Sequence, residues 1–123
     1  MKIKIAIFVL LYGTLFNCQI NLSKDCIEKE IVCSQLKIIE DFVQNDSLDI
    51  HVQRMGAISF LESLTKIISE SDANFFGKMK PTKRDYQKWL AWYEINKETL
   101  CNANNKVIID SIYKDVNPLD PYR

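Results

Sequence analysis

A chain of 123 residues with 47% apolar and 26% charged side chains has the make-up of one modest globular domain, which sets aside the disordered and fibrous classes. Its 16 basic and 16 acidic residues balance to a formal net charge of zero. No broad cationic surface is therefore available to grip nucleic-acid phosphates, and no nucleic acid is expected as a partner.

In chain order, Lys2 and Lys4 precede the apolar run Ile5 to Tyr12, and no acidic residue occurs before Asp25. A basic start followed by an apolar stretch predicts an N-terminal signal peptide. As a helix, roughly 12 such residues would reach about 18 Å, well short of a hydrocarbon core of about 30 Å, so a stable membrane span is not expected. The end of the run has no pair of small residues of the A-x-A kind that general signal peptidase requires. Instead Leu15, Phe16, Asn17 and Cys18 resemble a bacterial lipobox. That resemblance implies acylation of the Cys18 thiol, cleavage just before it, and a membrane anchor carried by the lipid. Asn17, where Gly, Ala or Ser is usual, points to a group with relaxed lipoboxes such as the Bacteroidetes. Loss of residues 1–17 removes two lysines and no acids, leaving 14 basic against 16 acidic residues and a net charge of about −2. The expected address is the cell envelope, as a membrane-anchored lipoprotein facing the periplasm. Gln19 does not supply the Asp that would suggest inner-membrane retention in enterobacteria, so either membrane is allowed.

The expected organisation is a signal peptide over 1–17, a tether over 18–24, a single helical domain over 25–116 and an irregular tail over 117–123. The fold class is all-α, a small bundle of three to four helices.

Four cysteines, Cys18, Cys26, Cys33 and Cys101, would allow two disulfides. Acylation of Cys18 leaves three, hence at most one intramolecular bridge. Cys26 and Cys33 lie seven residues apart, about 10.5 Å along one helix, beyond the roughly 7 Å that bridged Cα atoms tolerate. Any bridge should therefore use Cys101, with Cys33 as the preferred partner and Cys26 as the alternative. Buried thiols packing as small apolar side chains are the competing reading. A zinc site is not expected, since there is no C-x-x-C pair and His51 is the only histidine.

From Asp25 to Asn45, Ile31, Val32, Leu36, Ile38, Ile39, Phe42 and Val43 share one helical face, with Asp25 and Glu28 as N-terminal capping carboxylates. After the polar break at 45–47, a second helix carries Ile50, Ala57, Leu61, Leu64 and Ile68 on one stripe, with Asp46 or Ser47 as its cap. Residues 69–81 break the period through Gly77 and Pro81, and Phe75 and Phe76 predict a loop pinned to the body. The third helix is announced by Thr82 with Asp85 three places on, and runs to Leu100. Its rings, Tyr86, Trp89, Trp92 and Tyr93, read either as a stacking platform for a ligand or as the core of a small protein, and their helical spacing favours the core. Ile108, Ile109, Ile112 and Tyr113 predict a short fourth helix, and the prolines of 117–123 an irregular tail.

The run MGAISFLESLTKI, then FFG, then DYQKWLAWYEINKETL resembles the end of HEAT or armadillo-type helical-repeat proteins. The matching places are Ala57, Phe60, Leu61, Leu64, Thr65, Phe76, Gly77, Trp89, Trp92 and Tyr93. Pro81 to Tyr93 is also similar to a run found in small uncharacterised exported proteins of the Bacteroidetes. The sequence departs at Lys66, where the repeats have Gly after Leu-Thr, in a longer loop, and in having no second repeat. The resemblance implies helix-pair packing and carries no catalytic residue.

No nucleophile beside a base, no G-x-S-x-G and no phosphate-cradling glycine loop is legible, and pairs such as Glu28 with Glu30 or Asp110 with Asp115 are expected on solvated faces. Neither enzyme activity nor a cofactor is expected. The functional expectation is a lipid-anchored protein that binds another envelope protein. The alternative is an immunity protein that neutralises a toxin in the periplasm, to which small size, export and an acidic balance are suited.

Overall fold

The computed structural model describes Cys18 and residues 26–45, 51–74 and 77–116. Among these, the domain is all-α, with four α-helices in the order α1 (Ile27–Asn45), α2 (His51–Thr65), α3 (Lys83–Asn96) and α4 (Ala103–Val116). A short 3-10 turn, Lys97–Thr99, follows α3. The signal segment, the caps at Asp25, Asp46 and Ser47, the rings of Phe75 and Phe76 and the tail 117–123 lie outside the described residues.

Each helix forms because one stripe of its sequence can be buried. On α1, Val32, Leu36 and Ile39 recur at the i, i+4, i+7 spacing of a single face and are at most 1% exposed. Ala57, Ile58, Phe60 and Leu61 of α2, Trp89, Leu90 and Tyr93 of α3, Leu100, and Ile109 of α4 close over them. Adjacency runs α3, α1, α2, α4, with lesser contacts of α4 on α1 and of α3 on α2. The two segments of the helical-repeat resemblance are thus packed mainly on other helices, α2 on α1 and α4, and α3 on α1. Specific polar and ring contacts fix these seams. The Tyr86 hydroxyl of α3 donates to Glu40 of α1 at 2.9 Å, the Arg54 guanidinium of α2 lies 4.0 Å over the Phe42 ring of α1, and Phe60 meets Tyr113 of α4 edge-on at 6.4 Å.

The core reading holds for two of the four rings, while Tyr86 and Trp92 are half-buried. Trp89 and Tyr93 are buried, and the Trp89 indole N–H is satisfied by the Ile67 carbonyl at 3.0 Å. Burial of both body and polar handle makes Trp89 a packing residue.

Three local expectations are corrected. Glu28 is only 9% exposed, not solvated, because it sits four residues before Val32 and so falls on the core stripe of α1, whereas Glu30 is exposed. Helix α2 stops at Thr65, which leaves Ile68 off its stripe and 63% exposed. Residues 69–81 contain a small antiparallel hairpin, β1 (Ala73–Asn74) and β2 (Gly77–Lys78), with Ala73 opposite Lys78 and Asn74 opposite Gly77. Two-residue strands carry no period for a sequence to reveal. Gly77 adopts φ +112, a conformation that L side chains rarely take, and it turns the chain 3.4 Å from the Met55 side chain, measured to an ideal Cβ.

Candidate functional site

All four cysteines are paired. Cys26, just before α1, is bridged to Cys101 in the turn ahead of α4, with Cα atoms 5.7 Å apart. This is the second of the two pairings that the spacing allowed, and it ties the start of α1 to the turn between α3 and α4. Cys33, in the second turn of α1 and 4% exposed, is bridged to Cys18, also at a Cα separation of 5.7 Å. The preferred Cys33–Cys101 pairing is therefore corrected. Cys26 precedes the helix and can reach Cys101, whereas Cys33 lies about two turns further along, where it meets Cys18. The limit of one bridge falls with it. A sulfur in a disulfide cannot carry a lipid thioether, so the Cys18–Cys33 bridge and acylation of Cys18 are mutually exclusive fates of one atom.

The connection from α2 to α3 is held by a cluster of hydrogen bonds, and Ser69 is its hub. The Ser69 hydroxyl donates to Asp85 Oδ2 at 2.5 Å, its amide donates to Glu62 Oε2 at 2.8 Å, and its carbonyl accepts from Lys78 Nζ at 2.9 Å. Lys78 also pairs with Glu62 at 2.8 Å. Asp85, 1% exposed, further accepts from the amides of Thr82 at 2.9 Å and Glu70 at 3.0 Å. The Thr82 hydroxyl accepts from the Asp85 amide at 3.0 Å, which completes the capping box of α3. Burial pushes the Asp85 carboxyl up, but hydrogen bonds from Ser69, Thr82 and Glu70 outweigh it and hold the pKa below the ordinary aspartate value. These groups are saturated by one another, so the cluster is a structural junction.

The other end of the same connection is built differently. Lys66 ends α2 at φ +62, its amide donating to the Glu62 carbonyl at 3.0 Å. That single bond back to the fourth residue before it, with the capping residue in the left-handed region, is the αL cap that normally uses glycine. Thr65 is turned back on its own helix, its hydroxyl donating to Leu61 O at 2.6 Å and accepting from the Ile67 amide at 3.1 Å.

Lys66 borders an open groove of about 590 Å³ assembled from the end of α2, the end of α3 with the 3-10 turn, and α4. Its apolar wall is Leu64, Trp92, Val107, Ile108 and Ile112, and its polar rim is Ser63, Asn96, Thr99, Asn105 and Ser111. Val107 and Ile108 are 71% and 48% exposed although they lie on a helix of the bundle. The Asn96 and Asn105 amide groups donate to Trp92 O and Thr99 O, both at 2.8 Å, which fixes their orientation at the rim. Among the described residues that line the groove, Lys66 is the only charged one. The sequence pointed to Cys18, not to this groove, whose lining comes from three segments far apart in the chain.

Among the described residues, no three His, Cys, Asp or Glu side chains are grouped so as to hold a metal ion, and no helix is long and apolar enough to cross a membrane. The side chain of His51, the first residue of α2, lies outside the described residues. No family model, no curated protein and no solved structure matches the chain.

Proposed function

We propose that this chain is a small exported helical protein that works in the cell envelope by binding another protein. The observation that carries the reading is the pairing of every cysteine into two disulfides. Such bridges persist in oxidising compartments and are rare where glutathione and thioredoxin keep thiols reduced. The basic and apolar N-terminal segment supports the same address from the sequence side. The exposed apolar side chains of α4, gathered with Trp92 around one groove, support binding as the mode of action.

A fusion of alkaline phosphatase after Arg123 tests the address, because that enzyme matures only where its own disulfides form. Activity in the periplasm is expected, and an inactive cytosolic fusion would contradict it. A second reading, anchorage through a lipid on Cys18, is favoured by Leu15 to Cys18 at the end of the apolar run. It requires that the Cys18–Cys33 bridge be absent from the anchored form, with Cys33 left as a free thiol. A Cys18→Ser variant separates the two: it leaves the membrane fraction if the lipid holds the protein, and keeps its partition if the bridge is the fate of that sulfur.

A further inference from the structure

Resting on the protein-binding reading above, we propose that the groove between α2, α3 and α4 holds an acidic peptide segment of the partner, with Lys66 gripping a carboxylate and Trp92, Val107 and Ile108 covering the neighbouring apolar side chain. Two independent observations meet at Lys66. Its backbone is held in the left-handed region, where a side chain is disfavoured and glycine is the ordinary solution. A lysine kept in a conformation that costs stability points to a use for its side chain. Lys66 is exposed and lines the groove, and among the described residues no carboxylate lines it. The ammonium is therefore available to a carboxylate from outside, and the charge complementarity selects an anionic occupant.

The rest of the lining selects a peptide. Val107 and Ile108 leave apolar surface uncovered beside Trp92, which suits an aliphatic or aromatic side chain next to the acid. Asn96 and Asn105 each spend one amide N–H on a backbone carbonyl, which orients the group, and keep a second N–H and the side-chain oxygen for a peptide backbone, while Thr99, Ser63 and Ser111 offer hydroxyls that can donate or accept. At about 590 Å³ the groove takes a few residues of a chain. The domain is already a complete bundle without an occupant, so binding need not be coupled to folding.

The test is a random-peptide display selection against the oxidised protein, with the enriched peptides then measured by titration calorimetry on wild type, Lys66→Gly and Ile108→Asp. Expected are peptides with Asp or Glu next to an apolar residue, whose affinity falls about tenfold on Lys66→Gly, as for loss of one charge-assisted hydrogen bond. Ile108→Asp should abolish that binding. Lys66→Gly should meanwhile raise the melting temperature by a few degrees, so lost binding cannot be read as lost fold. Failure to enrich any peptide, or enrichment of peptides without an acidic residue, would overturn the proposal. So would acidic peptides indifferent to Lys66→Gly; if they bound elsewhere, the general binding reading would survive while the groove assignment fell.

Discussion

The connection between α2 and α3 has two ends made by opposite means. At the α3 end, Thr82 and Asp85 form a complete capping box, and the Asp85 carboxylate collects Ser69, Glu70 and Thr82 in a site that is almost dry. At the α2 end, a lysine stands in the left-handed cap position that glycine would fill without strain. One end is satisfied and buried; the other carries a left-handed lysine at the border of a groove. A closed, hydrogen-bonded cap and a strained, exposed one thus stand on either side of Ser69 in a single connection.

The contrast can be broken by substitution at each end. Asp85→Ala removes the acceptor for the Ser69 hydroxyl and for two amides in a buried site, and a loss of about 3 kcal/mol is expected in urea unfolding with an unchanged slope. A loss below about 1 kcal/mol would mean that water replaces the carboxylate, and that the junction is less closed than its burial indicates. Glu62→Ala, which takes the acceptor from the Ser69 amide and from Lys78, is expected to cost about 1.5 kcal/mol, less because Glu62 keeps some solvent contact. Lys66→Gly should move the other way and stabilise by about 1 kcal/mol. If it destabilised instead, the lysine would be holding the fold and the contrast would vanish.

Acid distinguishes the two ends as well. Because the pKa of Asp85 is lowered in the folded state, its contribution is fully present above the unfolded value, near 3.8, and fades as pH falls through the lower folded value. The gap in stability between wild type and Asp85→Ala should therefore narrow below about pH 4, while the gap between wild type and Lys66→Gly stays constant. Urea titrations at a series of pH values would show a parallel shift of all three proteins if Asp85 were not the group responsible.

The Thr82 and Asp85 start of α3 was legible because a cap is written in neighbouring residues, and the core stripes of α1 were legible because burial imposes a period. The stop of α2 at Lys66 was not, since the usual sign of a left-handed cap is a glycine and none is present. The charge of Glu28 suggests a solvated face, but its spacing from Val32 puts it on the buried one. The pairing of Cys18 with Cys33 was hidden by a competing chemistry: once Cys18 is assigned a lipid, it leaves the pool of cysteines, and an even set of four becomes three. The groove draws on residues near 64, 92 and 108, which only the packing of three helices brings together.

Disulfide mapping of the protein taken from cells, alkylated before digestion and not reduced, tests whether all four cysteines belong to the fold. Two linked peptide pairs are expected, Cys18 with Cys33 and Cys26 with Cys101, and no alkylated cysteine. An alkylated Cys33 together with a Cys18 peptide carrying the mass of an acylated glyceryl group would contradict that pairing.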